Sequence, residues 1–116
     1  MEAAPAKLEV EWQGVVRTLT CNGVDVLELG RPDGAADAGD AVAIDGEWVS
    51  RRHARIVSDE RHFSLVDDSV NGTFIQTEDG RTSFVRRNDV RLWGEGYLSL
   101  GEPPSRQNAL RFRHVD

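Results

Sequence analysis

Apolar residues along this chain mostly alternate with polar ones or come in short bursts, and they rarely recur at the three- or four-residue interval of an amphipathic helix. The alternating or β-rich runs are Leu8–Trp12, Val15–Thr20, Val24–Leu29, Val42–Ile44, Ala54–Val57, Phe63–Val66, Thr73–Gln76, Thr82–Val85, Tyr97–Leu100 and Ala109–His114. Each is predicted to be a strand. Between them stand turn-forming pairs: Asn22-Gly23, Asp33-Gly34, Asp45-Gly46, Asn71-Gly72, Asp79-Gly80 and Pro103-Pro104. About ten short strands at this spacing predict an all-β fold, an antiparallel sandwich or barrel, with function carried by loops at one end. Pro32–Ala41 lacks large apolar residues and is predicted to be a surface loop. No internal repeat or linker divides the chain, so residues 1–116 read as one domain.

Composition narrows the function. The chain has 116 residues, enough for a core without disulfide or metal support, and its single Cys21 cannot form an internal bridge. The start, MEAAPAKLEV, has neither the charge nor the apolar run of a signal peptide, and no stretch reaches the eighteen or so apolar residues of a membrane span. A cytoplasmic protein is expected. Fourteen basic residues against 20 acidic ones give a net charge of -6, which disfavours nucleic acid and anionic membranes as partners. Against that background Arg51, Arg52, His53 and Arg55 form a local basic run, which also reads as a solvated strand end.

The stretch Asp67-Asp68-Ser69-Val70-Asn71-Gly72-Thr73 has three readings. Asp67, Ser69, Asn71, Gly72 and Glu78 have the spacing of an EF-hand calcium loop. Such a loop needs a helix on each side, however, and the flanking RHFSLVDD and TFIQTEDG read as strands. Asn71-Gly72-Thr73 is also a glycosylation sequon, a reading that requires a secretory route. Thirdly, Asn71-Gly72 is a tight turn whose side-chain amide is able to clamp a peptide. Elsewhere, Arg31 offers a charged fork suited to phosphate oxygens, and Ser50 a hydroxyl and a strand-end N–H. Ser50 and His53 would make a nucleophile and base only if they faced each other, and no oxyanion-hole motif accompanies them. No enzymatic activity, cofactor or metal is expected.

In order and spacing, Gly30-Arg31, Ser50-Arg51-Arg52-His53 and Asn71-Gly72-Thr73 resemble the forkhead-associated (FHA) domain, a phosphothreonine-binding module; YLSLG at Tyr97–Gly101 resembles the strand before its closing loop. The resemblance spans about Leu8 to Phe112. It implies a β-sandwich of about eleven strands that binds a phosphothreonine-containing protein or peptide at one end. It further implies that Arg31, Ser50 and Arg51 contact the phosphate, that Asn71 bonds the peptide backbone, and that Gly30, His53, Gly72 and Thr73 support the loops. Trp48 falls in the loop that selects flanking residues, with an apolar preference expected there.

Val70 departs from the pattern, since many members carry a hydroxyl residue in that place and gain one more phosphate contact. A second departure, Arg86–Gly101, resembles FHA domains attached to bacterial class III nucleotide cyclases, which implies a cyclase domain in the same parent chain as a partner. The alternative function is a phosphate-independent scaffold acting through a sheet face.

Overall fold

The computed structural model describes residues 6–21, 25–35, 40–59 and 62–115, and contains eleven strands and one short helix among them. The strands are β1 (Lys7–Trp12), β2 (Val15–Thr20), β3 (Val26–Gly30), β4 (Ala41–Ala43), β5 (Ala54–Ser58), β6 (Phe63–Asp67), β7 (Thr73–Thr77), β8 (Thr82–Val85), β9 (Asp89–Arg91), β10 (Glu95–Leu100) and β11 (Ala109–Val115). They form two sheets, one ordered β2-β1-β11-β10-β7-β8 and the other β4-β3-β5-β6-β9.

Alternation decides which side chains meet. Along β1, Leu8 and Val10 are buried while Lys7 and Glu11 are exposed; β11 repeats this with Leu110 and Phe112, and β10 contributes Leu98. The opposing sheet turns Leu27, Leu29, Ile56, Phe63 and Leu65 inward, so the two inner faces close one continuous core. A slip of one residue in any of these strands would put its apolar set in water, which is why pattern and register agree.

All ten expected strands are present, with ends shifted by a residue or two. The pairing is antiparallel throughout except for β3 with β4, which run parallel at Glu28↔Ala41 to Gly30↔Ala43. The eleventh strand, in keeping with the count that the resemblance implies, is β9, which no alternating run marks: it has three residues with one apolar side chain, Val90, and is a strand because β6 pairs with it at Ser64↔Arg91 and Val66↔Asp89. The expected loop at Pro32–Ala41 begins instead with the helix α1 (Pro32–Ala35) and ends in β4; its residues 36–39 lie outside the described residues, as do residues 1–5 and the Asn22-Gly23 turn. Among the described residues no helix is long and apolar enough to cross a membrane.

Cross-connections tie the loops at one end together. Arg31 N–H, just past β3, donates to Ser50 O (3.1 Å); Asp67 N–H, at the end of β6, donates to Asn88 O (2.8 Å); and Gly101 N–H, just past β10, donates to Gly72 O (2.8 Å).

Candidate functional site

At this end His53 is the organising side chain. It is fully buried just before β5, where its Nδ1 accepts the Ser50 N–H at 3.0 Å and its Nε2 lies 2.7 Å from Gly72 O. A ring nitrogen that accepts from an amide carries no proton, so the ring is the neutral Nε2–H tautomer and donates to Gly72. Burial lowers its pKa, outweighing the Gly72 carbonyl and the Asp67 carboxylate, which pull the other way. One imidazole thus spans the loop before β5 and the loop before β7.

Both ring nitrogens being occupied has a chemical consequence. Neither faces the Ser50 hydroxyl, so Ser50 and His53 are not a nucleophile and base. The Ser50 N–H, expected to be open to a ligand, is instead used up on His53. Its hydroxyl oxygen accepts the Val70 N–H at 3.1 Å, which leaves the O–H proton to donate outward.

The loop between β6 and β7 is knotted around Asp67. This carboxylate is buried and accepts from Ser69 N–H (2.9 Å), the Ser69 hydroxyl (2.9 Å), the Thr73 hydroxyl (2.6 Å) and Arg87 N–H (3.0 Å). Burial alone pushes its pKa up, but these bonds, led by Thr73, outweigh burial and hold the carboxyl below its ordinary range. Ser69 in turn accepts the Gly72 N–H at 2.7 Å. Asp67 and Ser69 are therefore interior struts of the turn. The calcium spacing fails geometrically as well, since the extended β7 runs from Thr73 to Thr77 and leaves Glu78, just past its end, roughly 17 Å from Thr73.

Two glycines fit where no other residue does. Gly72 has φ +84° and lies under the Phe84 ring, which a Cβ would strike; Gly30 packs against the main-chain carbonyl of Arg51, which a Cβ would also strike. Close packing at Gly30 brings Arg31 and Arg51 to the same corner.

That corner is where the cations gather. Arg31 is partly exposed, Arg51 and Arg52 more so, and between the first two lies Asp33 on α1. One carboxylate oxygen of Asp33 is 3.4 Å from Arg31 Nε and the other 3.4 Å from Arg51 Nε. Arg31 Nε is shielded from water and makes no hydrogen bond, so its contact with Asp33 is one of charge without hydrogen-bond alignment. A cavity of about 310 Å³, lined by Asp33, Gly34, Arg51 and Arg52, opens at this point. In the sequence Asp33 stands out only as part of a turn pair.

On the other side of Ser50, Asn71 is half-buried and its Nδ2 donates to Trp48 O at 3.1 Å, which fixes the orientation of an amide expected to be free. Its Oδ1 and second N–H face no protein partner among the described residues. Val70 is 58% exposed at the rim. Trp48 flanks a cavity of about 440 Å³ that also takes in Trp12, Asp45, Glu47 and Glu102. Of the tryptophans, only Trp12 is half-buried; Trp48 and Trp93 are exposed, Trp93 with the Arg91 guanidinium 3.8 Å over its ring. Among the described residues no cluster of three or more His, Cys, Asp or Glu is placed to hold a metal.

Comparison with known proteins bears on the family and the fold. The sequence model of the FHA domain matches residues 27–101, which run from β3 to the end of β10 and include every loop just described. In overall structure the chain is similar to the first FHA domain of Mycobacterium tuberculosis Rv1747, with 24% identity, a TM-score of 0.67, and 97% of this chain and 100% of that one covered. It is also similar to M. tuberculosis EmbR in complex with a low-affinity phosphopeptide (21% identity, TM-score 0.60), covering 95% of this chain and 24% of that one. A third similar structure comes from a structural and functional analysis of phosphothreonine-dependent FHA domain interactions (21% identity, TM-score 0.60), covering 95% of this chain and 96% of the other. No curated protein sequence matches the chain.

Proposed function

The chain belongs to the FHA domain family, and from that premise we propose that it is a non-catalytic module that binds phosphothreonine in a partner protein, or in its own parent chain, for phosphorylation-dependent signalling. One observation carries the reading: Arg31 and Arg51 already flank an anion, the Asp33 carboxylate, at 3.4 Å on either side, next to a Ser50 hydroxyl whose proton is free to donate.

In the bound state the guanidinium groups of Arg31 and Arg51 bond the phosphate oxygens, and the Ser50 hydroxyl donates to a third. Asn71, held by Trp48, presents its remaining amide groups to the peptide main chain beside the phosphorylated residue. Gly30, His53, Gly72 and Thr73 act only through the loops they hold. Charge-assisted hydrogen bonds contribute about 1.5–3 kcal/mol each. Three or four of them, less the cost of ordering a flexible peptide, suggest a dissociation constant of order micromolar, about 8 kcal/mol. Such binding is reversible on the time scale of a kinase and a phosphatase. The Arg86–Gly101 segment supports a cyclase domain as a neighbour in the parent chain, on resemblance of sequence alone.

The test is calorimetric titration of the protein with phosphothreonine, phosphoserine and unphosphorylated forms of a degenerate peptide library, repeated for Arg31→Ala and Ser50→Ala. Micromolar binding of the phosphothreonine form, lost in both variants, supports the reading. Equal binding of all three forms, or variants that bind like wild type, would replace it with a phosphate-independent scaffold.

A further inference from the structure

We propose that Asp33 is the site's own competitor for phosphate, and that its carboxylate weakens every anion alike, setting a threshold that a phosphate dianion passes at micromolar concentration and a singly charged anion does not. The inference rests on the phosphate reading above and goes beyond it by assigning a role to Asp33, a residue that pairs with both arginines of the site.

Asp33 divides its two oxygens between Arg31 and Arg51, each 3.4 Å away. Its tether is short and stiff: Gly34 N–H donates to Arg31 O at 3.0 Å, and Gly34 lies so close to the Arg51 main chain that no side chain would fit there. A carboxylate held in this way competes at an effective concentration on the order of millimolar or above, before any ligand arrives. A glutamate or aspartate in a peptide carries the same charge and brings nothing to displace it, so it stays out at micromolar concentration. A phosphothreonine carries close to two charges and three strong acceptor oxygens, and displaces it. The cavity lined by Asp33, Gly34, Arg51 and Arg52, about 310 Å³, gives the displaced carboxylate and the phosphate room side by side.

The experiment titrates wild type, Asp33→Asn and Asp33→Ala with three versions of one library peptide, carrying phosphothreonine, glutamate or threonine. Asp33 is exposed, so both variants are expected to melt like wild type. Losing two exposed ion pairs from the free state should tighten phosphothreonine binding by about three- to tenfold. The glutamate peptide, excluded by wild type, should become measurable in both variants, and high salt should narrow the gap because exposed pairs are screened. If wild type separates phosphothreonine from threonine but the variants bind phosphothreonine more weakly, or still exclude glutamate, Asp33 only positions the arginines and this inference falls alone. If wild type and variants bind all three peptides equally, the phosphate reading falls and takes this one with it.

Discussion

The main-chain N–H of Ser50 is held by the imidazole of His53 at 3.0 Å, an arrangement that survives only while the ring is neutral. Because burial depresses the His53 pKa, the unfolded chain takes up this proton at a higher pH than the folded one, and stability rises with pH across the gap. Stability should be fully present above about pH 6.5 and fall as pH drops from there toward the depressed folded value. Thermal melts from neutral pH to pH 5 check this. A His53→Asn variant should be less stable throughout but lack that slope, and an unchanged slope would remove His53 as its source.

Thr73 supplies the shortest of the bonds to the buried Asp67 carboxylate. Replacing it by Val keeps the shape and removes one charge-assisted bond, so Thr73→Val should cost about 1.5–3 kcal/mol in a denaturant titration. Asp67→Asn should cost more, because an amide nitrogen turns toward donors. Since the folded Asp67 pKa is depressed, its contribution persists above about pH 3.9 and is lost only as pH falls through the folded value, below the His53 window.

Gly72→Ala combines two penalties, the left-handed backbone and the clash with Phe84. The backbone term alone is about 1–2 kcal/mol. Trimming the ring should relieve the clash, so Gly72→Ala placed in a Phe84→Ala background should cost about that much and no more, while the same change in wild type costs more. Additive effects in the double-mutant cycle would show that the ring yields freely.

Val70 is where the loop departs from the family pattern, and its exposure makes it easy to change. Val70→Ser should leave stability within about 0.5 kcal/mol and, by adding a donor beside the phosphate, tighten phosphothreonine binding by up to tenfold or so. Calorimetry on the variant checks both halves. Unchanged affinity would place the phosphate out of reach of residue 70.

Much of the sandwich was legible because alternation and turn pairs are local signals, and most inward side chains are apolar, polar exceptions such as Ser58, Asp67 and Thr73 lying at strand ends. Strand β9 was not, because a three-residue strand with one valine exists only through its partner β6. The parallel β3–β4 pair likewise follows from a connection that the pattern cannot show. At the site, the charged and hydroxyl residues were legible as types, while their partners were not. In the sequence Asp67 stands out only through the rejected calcium spacing, because its burial depends on donors from Ser69, Thr73 and the distant Arg87. Asp33 looked like a turn residue because its position between Arg31 and Arg51 depends on Gly30 and Gly34 closing against a loop some twenty residues on.

The phosphate site itself is tested most directly by an amide-resolved NMR titration with a phosphothreonine peptide and its unphosphorylated twin. Shifts at Arg31, Ser50, Arg51 and Asn71 with the phosphorylated peptide alone are the expected result. The same shifts from both peptides, or shifts around the exposed Trp93 while these four residues stay still, would contradict it.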